Sequence, residues 1–209
     1  MTNIIAPQEI NTSESTNNLL SSMWRGDAIH QIATLKNGMF KNISVNSISE
    51  AIKQAEDLTE AGFDVYFACA EFITNESRKS NNAHGAWGYW FDIDCGEDKA
   101  AKGAGYNTKK EAHTALIKFL TQTKIPIPDF IVDSGNGLHV YFCSNKFITA
   151  IEWKIGADKL KKLTNHYGLL ADPTRTADIA SVLRFPNTRN YKDPANPKEV
   201  KVKHPRDSE

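Results

Sequence analysis

The chain has 209 residues, of which 40% are hydrophobic and 24% are charged, a composition typical of a globular protein with a sizeable core. No run of about 18 apolar residues occurs, and the first residues carry neither a basic nor an apolar leader, so we expect a cytoplasmic protein with no membrane contact. The odd number and wide spacing of the cysteines argue against a disulfide framework or a zinc ribbon and favour buried, reduced thiols: Cys69, Cys95 and Cys143.

The net charge of zero is distributed unevenly. Residues 1–100 hold 7 Lys and Arg against 14 Asp and Glu, whereas residues 101–209 hold 18 against 11. An acidic half that holds metal ions and a basic half that follows a phosphate backbone would produce this asymmetry. Solvated faces of unequal sign would produce it equally well, so the charge does not decide the function.

A polar stretch begins the chain. Residues 1–22 are rich in Thr, Ser and Asn, so we expect a poorly ordered lead-in there and a folded domain over residues 23–209. Ser47 and Glu50 form a capping box, and apolar residues recur after it at helical spacing until Gly62. This pattern predicts the first helix.

Two strands and a second helix are predicted next. Residues 65–70 are β-branched and aromatic, which is typical of a buried strand. The polar residues 74–86 predict a loop that leads to a strand over Trp87–Cys95. A second capping box at Thr108–Glu111 opens a helix that should end before Pro126.

The last third of the chain continues this alternation. Its predicted elements are strands 129–133 and 138–143 joined by a tight turn, a helix over 149–167 capped by Gly168, a strand over 181–185, and a basic edge strand near the end. No glycine-rich fingerprint of a parallel nucleotide-binding sheet is present. We therefore expect an α/β (α+β) fold with a mostly antiparallel sheet.

The strand over Trp87–Cys95 carries two carboxylates at alternate positions. Residues two apart share a face of a strand, so Asp92 and Asp94 point to one side while Phe91 and Ile93 anchor the other. Their bases lie about 6–7 Å apart, within reach of metal ions held about 4 Å apart. Oxygen ligands of this kind suit Mg²⁺ or Mn²⁺. The alternative is an amphipathic strand with a wet face, although like charges on one face repel unless a cation neutralises them.

A turn rich in small residues separates two of the predicted strands. The glycines of Ser134-Gly135-Asn136-Gly137 allow positive φ and close backbone approach, so their amides can converge on an oxyanion. His139 faces away from its apolar neighbours and can donate to a phosphate oxygen. The alternative is a hairpin turn without a ligand.

Three segments together resemble the catalytic core of the archaeo-eukaryotic primase superfamily. They are Phe91-Asp92-Ile93-Asp94, Ser134-Gly135-Asn136-Gly137-Leu138-His139, and Asp172 followed by Leu183-Arg184-Phe185-Pro186. In that superfamily the last metal-binding Asp precedes a Leu-Arg-x-Pro segment by about a dozen residues, and Asp172 stands twelve positions before Arg184. Asp178 competes for the same role, but its position is typical of a turn.

The resemblance implies an N-terminal α/β unit packed on an RRM-like unit, with the active site between them. It implies a primase or DNA polymerase, a nucleotidyltransferase that uses two Mg²⁺ or Mn²⁺ ions. The implied metal ligands are Asp92, Asp94 and Asp172, and the implied nucleotide-binding residues are Ser134, Gly135, Asn136, Gly137, His139, Arg184, Asn190 and Lys192. The implied partners are a single-stranded DNA template, a primer and nucleoside triphosphates, and residues 23–209 would be the catalytic piece of a longer protein with a helicase or a priming domain.

Two rival functions remain open. The same carboxylate pair would serve a metal-dependent nuclease or a sugar transferase. The chain would otherwise be an inactive single-stranded DNA-binding module of a replication initiator. The sequence does not distinguish ribonucleotides from deoxyribonucleotides, nor chain initiation from extension.

Overall fold

The structure is a computed structural model that describes residues 12–203 and residue 205. Its elements, in chain order, are α1 (Thr12–Met23), β1 (His30–Lys36), β2 (Met39–Val45), α2 (Ile48–Glu60), β3 (Asp64–Ala68), β4 (Glu71–Phe72), a 3-10 turn (Ser80–Asn82), β5 (Ala83–Asp94), α3 (Glu97–Ala101), α4 (Lys109–Thr123), β6 (Phe130–Asp133), β7 (Gly137–Thr149), α5 (Ala150–Tyr167), α6 (Pro173–Ala177), β8 (Val182–Arg184), β9 (Thr188–Asn190) and β10 (Lys198–Lys203). All paired strands among these elements run antiparallel, which confirms the predicted fold class.

The N-terminal segment differs from our expectation. Residues 1–11 of the predicted lead-in lie outside the described residues, but helix α1 begins at Thr12. Its Leu19 and Leu20 are completely buried in the main core, together with Met23 at its end. The prediction of poor order is therefore wrong for residues 12–22, because tertiary packing of these apolar side chains stabilises a helix whose sequence is otherwise polar.

The smaller sheet has the strand order β2-β1-β3-β8. Strands β1 and β2 form a hairpin closed by Asn37 and Gly38, whose φ values of 52° and 75° are those of a two-residue type I′ turn. Strand β3 is the predicted buried strand, and β8 pairs with its outer edge, with Arg184 opposite Tyr66. The sequence prediction did not include the hairpin.

The larger sheet has the order β4-β5-β7-β6-β10-β9. Its two long central strands pair from Gly85 opposite Thr149 to Asp94 opposite Gly137. Strand β5 begins at Ala83, so the predicted loop over residues 74–86 is shorter than expected. Strand β10 is the predicted basic strand, and it lies between β6 and β9. The prediction of an edge strand is wrong, because β9 covers its outer side.

The core divides into two clusters on the two faces of strand β5. Trp90 stacks on Trp153 of helix α5, with 4.7 Å between ring centroids, and belongs to the cluster that both sheets share. Phe91 points to the other face and packs edge-on against Phe119 of helix α4. Because side chains alternate along a strand, Asp92 lies on the same face of β5 as Trp90, past the part of that face that helix α5 covers.

The predicted caps at Ser47, Thr108 and Gly168 are confirmed, but the glutamates of the two predicted capping boxes accept from Asn46 and Asn107, and the cap at Thr149 was not predicted. The side chains of Ser47, Thr108 and Thr149 accept hydrogen bonds from the N–H groups three residues later, which fixes the starts of α2, α4 and α5. Gly168 ends α5 in the left-handed conformation with φ of 71°. None of the described helices combines the length and the apolar character that a membrane crossing requires.

The three cysteines are free thiols, but only Cys69 is fully buried as predicted, whereas Cys95 and Cys143 are partly exposed. Burial raises the pKa of the Cys69 thiol, and it raises the pKa of Cys95 to about 11 and that of Cys143 to about 12. All three are therefore protonated and unreactive at neutral pH.

Candidate functional site

Asp92 and Asp94 lie on one face of strand β5, at the end where the two sheets approach each other. The Asp94 carboxylate forms an ion pair with Lys99 of helix α3, with 2.5 Å between Oδ2 and Nζ. The side chain of Asp92 is only 20% exposed and lies deeper. Both carboxylates therefore lie on one face of the strand, as the alternation of side chains predicted.

Asp92 is an acid with a strongly shifted pKa. Burial is the largest cause, followed by the negative charges of Asp94 and Asp172, and together they raise its pKa to about 7 although Arg175 and Lys99 act in the opposite direction. The local environment therefore lacks enough positive charge to balance its carboxylates. A bound cation would supply that charge.

Asp172 lies next to Asp92 in the structure. Its backbone N–H donates to the Asp92 carbonyl at 2.7 Å. Its carboxylate caps helix α6 by accepting from the N–H groups of Thr174 at 2.7 Å and Arg175 at 3.1 Å. Asp178 instead accepts from Ala180 and Ser80, and it is not among the charges that shift the Asp92 pKa.

The donor set can be tested for a divalent cation. Among residues 12–203, no three His, Cys, Asp or Glu side chains stand together as a ready cluster of metal ligands. Two adjacent carboxylates do fit Mg²⁺, which protein sites often bind through one or two carboxylates while water and substrate phosphates complete the shell. The pair on β5 therefore fits the ion, and Asp172 lies beside the pair with one carboxylate oxygen already used by the helix cap.

His139 stands opposite Asp92 in the β5–β7 ladder. Its Nε2 lies 3.7 Å from Asp92 Oδ1, and its Nδ1 is buried without a hydrogen-bond partner. Burial, followed by the charges of Arg184 and Arg175, lowers its pKa to about 3. His139 is therefore a neutral imidazole at physiological pH, with a donor or acceptor to spare inside the site.

The turn after β6 is more fully bonded than predicted. The N–H of Ser134 donates to the Gly137 carbonyl at 3.0 Å, and the N–H of Gly135 donates to Asp133 at 2.9 Å. The prediction that the amides of this turn converge on an oxyanion is therefore wrong for these two. Gly135 is required by its φ of 86°, and a Cβ at Gly137 would lie 2.3 Å from the Ile93 carbonyl.

Arg184 approaches the site from strand β8 of the smaller sheet. One guanidinium nitrogen lies 2.5 Å from Asp64, and the guanidinium stacks on Tyr66 with 4.9 Å to the ring centroid. Asn190 donates to the Ser134 carbonyl at 2.7 Å and accepts from the Lys192 N–H at 3.0 Å. The Asn190 side chain therefore ties the turn after β6 to the segment that carries the Lys192 ammonium.

One cavity collects most of the predicted residues between the two sheets. It has a volume of about 170 Å³ and is lined by Tyr66, Asp92, Asp94, Ser134, Asn136, His139, Arg175, Val182, Leu183, Arg184, Asn190 and Lys192. A neighbouring cavity of about 540 Å³ shares Asn136, Asn190 and Lys192 with it and extends past Lys99 and Lys198. Gly135, Gly137 and Asp172 do not line the smaller cavity.

Solved structures with the same fold are known. No protein-family model and no curated protein matches the chain. The archaeo-eukaryotic primase domain of the cyanophage S-2L primase-polymerase superposes with a TM-score of 0.65 at 12% identity, covering 92% of this chain and 89% of that one. The chain has the fold of the archaeo-eukaryotic primase superfamily.

Two structures of the primase RepB′ share this primase fold. One has a TM-score of 0.52 at 16% identity over 93% of this chain, which spans 56% of that protein. The other is its catalytic domain in complex with initiator DNA, with a TM-score of 0.51 at 16% identity over 92% of this chain and 84% of that one. In this chain the cavity is lined by residues of both sheets.

Three residues of the site in this primase fold were not predicted. Lys99 and Arg175 bring positive charge to the carboxylates, and Tyr66 supports Arg184. Asp172 followed by a proline is a helix-start signal, so the position of Arg175 on the first turn was accessible from the sequence. Lys99 and Tyr66 carry no comparable local signal, because the first reaches Asp94 from the short helix α3 and the second is one of several aromatic strand residues.

Proposed function

We propose that the chain is the catalytic domain of a template-directed nucleotidyltransferase, a DNA primase or primase-polymerase that makes phosphodiester bonds from nucleoside triphosphates. The observation that carries the proposal is the cavity in which two carboxylates, Asp92 and Asp94, face three cationic side chains, Arg175, Arg184 and Lys192. The two carboxylates suit a divalent cation, and the three cationic side chains suit the phosphate oxygens of a triphosphate bound to that cation. Proteins named as primases have the same fold.

Asp92 and Asp94 would hold the divalent cation, with Asp172 as the nearby third carboxylate. The resemblance implies two ions, and the carboxylate chemistry favours Mg²⁺ or Mn²⁺. When bound, these ions supply charge neutralisation and lower the pKa of an attacking 3′-hydroxyl. The raised pKa of Asp92 supports this assignment, because burial and two neighbouring carboxylates disfavour its charged form and a bound cation would stabilise that form.

The cationic side chains of the cavity, Arg175, Arg184 and Lys192, would orient the triphosphate. The Asp64 carboxylate and the Tyr66 ring hold Arg184 in place, so its planar fork is ordered before the substrate arrives. Neutral His139 would present Nε2, the ring nitrogen that faces Asp92, to a phosphate oxygen, because its Nδ1 is buried. Catalysis would then consist mainly of positioning and charge compensation.

The turn after β6 would shape the nucleotide pocket with its side chains and would not bind the phosphates through its backbone N–H groups. Ser134 and Asn136 line the cavity, whereas Gly135 and Gly137 allow the turn to pass close to its neighbours. Asn190 would keep Lys192 directed towards the phosphates by bonding to both segments. These residues would therefore affect nucleotide affinity more than the chemical step.

A primer-synthesis assay tests the proposal. The purified chain is incubated with single-stranded DNA, labelled nucleoside triphosphates of both sugar types, and Mg²⁺ or Mn²⁺. The expected result is template-dependent product with the wild type and a loss of roughly 1,000-fold or more in Asp92→Asn and Asp94→Asn. Asp98→Asn, an exposed carboxylate nearby on α3, is the matched control and should keep full activity.

Two outcomes would overturn the proposal. Degradation of the labelled DNA with Mn²⁺ and without triphosphates would identify a nuclease. Tight template binding by a folded chain that incorporates no nucleotide under any metal condition would identify an inactive DNA-binding module. Preference for one sugar type, and synthesis with or without a primer, would be read from the same reactions.

A further inference from the structure

A row of side chains leads from the cavity to the edge of the smaller sheet. Tyr66 lines the cavity, and its ring lies 6.3 Å from the ring of Phe40 on strand β2. Arg78 lies over the Phe40 ring, with 5.6 Å between its guanidinium carbon and the ring centroid. Together with Arg175 and Arg184 these residues form a surface that we call the arginine-aromatic strip.

The strand register places this strip on one face of the sheet. Arg184 is opposite Tyr66, Tyr66 is opposite Ala33, and Ala33 is opposite Asn42, two residues from Phe40 on the same face of β2. The row crosses three strand spacings, or about 14 Å. It therefore runs outward from the carboxylates without interruption by another element of the sheet.

The guanidinium group of Arg78 is held in position by two hydrogen bonds. Arg78 donates to the Asn42 side chain at 3.0 Å and also to the Ala180 carbonyl. Burial lowers the pKa of Arg78, the nearby charge of Asp178 raises it, and the charge of Arg175 lowers it by less than Asp178 raises it. The Arg78 guanidinium is therefore fixed over the Phe40 ring, where it can contact a phosphate oxygen.

Phe40 is the unusual member of the strip. It is 45% exposed on strand β2, which is the edge strand of its sheet, so its ring contributes little to the core. The Phe40 ring lies beside the Arg78 guanidinium, and an exposed ring beside a cation is the combination in which an unpaired base stacks on the ring while the cation contacts a backbone phosphate. A base within a duplex presents its edges in the grooves and has no free face for such stacking.

We propose that the arginine-aromatic strip binds a single strand of DNA that leaves the cavity, with an unpaired base stacked on Phe40 and its phosphates beside Arg78 and Arg175. This proposal deepens the proposed function and rests on it in one respect: the bound strand is a template only if the chain is a polymerase. The binding itself needs neither metal nor nucleotide. It can therefore be measured separately from catalysis.

The test compares variants of the hairpin by fluorescence anisotropy with a labelled oligothymidine of about 15 nucleotides, in EDTA and without nucleotides. Phe40→Ala should weaken binding roughly 5- to 100-fold, the loss expected for one stacked base. Phe40→Trp should retain wild-type affinity, because it keeps an aromatic face. Met39→Ala is the matched control and should bind as the wild type does, because Met39 is 64% exposed on the opposite face of the same strand.

Three results would overturn the inference: Phe40→Ala within twofold of the wild type, equal losses in Phe40→Ala and Met39→Ala, or a Phe40→Trp variant as weak as Phe40→Ala. Duplex DNA of the same length should bind more weakly and should not respond to Phe40→Ala, so an equal loss with duplex would also contradict it. Thermal melting checks that each variant is folded. A chain that shows the Phe40 effect but no synthesis would leave the strip in place and refute only the proposed activity.

Discussion

Asp92 and His139 stand directly opposite each other on strands β5 and β7, with 3.7 Å between Asp92 Oδ1 and His139 Nε2. The two groups have shifts in opposite directions from their ordinary values: the pKa of Asp92 rises to about 7 and that of His139 falls to about 3. Burial is the largest cause of both shifts, because it disfavours the charged form of either group. Near neutral pH the pair therefore carries at most one negative charge, which is available to a cation.

Metal affinity should depend on pH through Asp92. Protons compete with the cation for a carboxylate whose pKa is about 7, so Mn²⁺ should bind about tenfold more tightly at pH 8 than at pH 6. Isothermal titration calorimetry at the two pH values measures this difference. Asp92→Asn should bind weakly and lose most of the pH dependence, and a wild-type affinity that is equal at both values would contradict the assignment.

Removal of the Asp92 charge should stabilise the metal-free protein. The folded-state pKa lies above the ordinary value of 3.8, so the carboxyl destabilises the fold increasingly as pH rises from about 4 to about 7. Asp92→Asn should therefore raise the free energy of unfolding at pH 8 by up to about 4 kcal/mol. Urea unfolding in EDTA measures it.

The stabilisation by Asp92→Asn should vanish at low pH. Below about pH 4 the carboxyl is protonated in both the folded and the unfolded chain, so variant and wild type should then be equally stable. Asp98→Asn serves again as the exposed control. An Asp92→Asn variant less stable than the wild type at pH 8 would show that the carboxylate makes a stabilising contact.

His139 should make the fold sensitive to acid. Its folded-state pKa of about 3 lies below the ordinary 6.5, so the unfolded chain gains a proton first and stability is lost as pH falls from about 6.5 towards 3. Relative to His139→Gln, the wild type should lose about 2 kcal/mol between pH 6.5 and pH 5. Comparison of the two proteins cancels the opposite contribution of Asp92, and His84→Gln, at an exposed histidine, should follow the wild type.

Lys99 should compete with the metal ion for Asp94. Its ammonium lies 2.5 Å from the carboxylate, and its own pKa is raised chiefly by that hydrogen bond. Lys99→Met should therefore bind Mn²⁺ several-fold more tightly, since one nearby charge is worth on the order of 1 kcal/mol at a partly exposed site. Lys102→Met, at the exposed end of the same short helix, is the control, and an equal affinity of Lys99→Met and wild type would show that the ion pair does not oppose binding.

Much of the fold was predictable because its signals are local. Three helices begin at a Ser or Thr that caps the N–H three residues later, and Gly168 ends the longest of them. The presentation of Asp92 and Asp94 follows from strand alternation alone. The Asn37-Gly38 hairpin carried an equally local signal that the sequence prediction did not use.

The sequence by itself determined which residue types are available for chemistry and on which face of a strand the carboxylates lie, because these depend on spacing along a few residues. The tertiary structure decided that Asp172 and not Asp178 lies beside Asp92, that Lys99 pairs with Asp94, and that Phe40 extends the row begun by Tyr66. Those relationships join residues far apart in the chain, and they depend on strand register and packing between two sheets. No short stretch of sequence encodes that geometry.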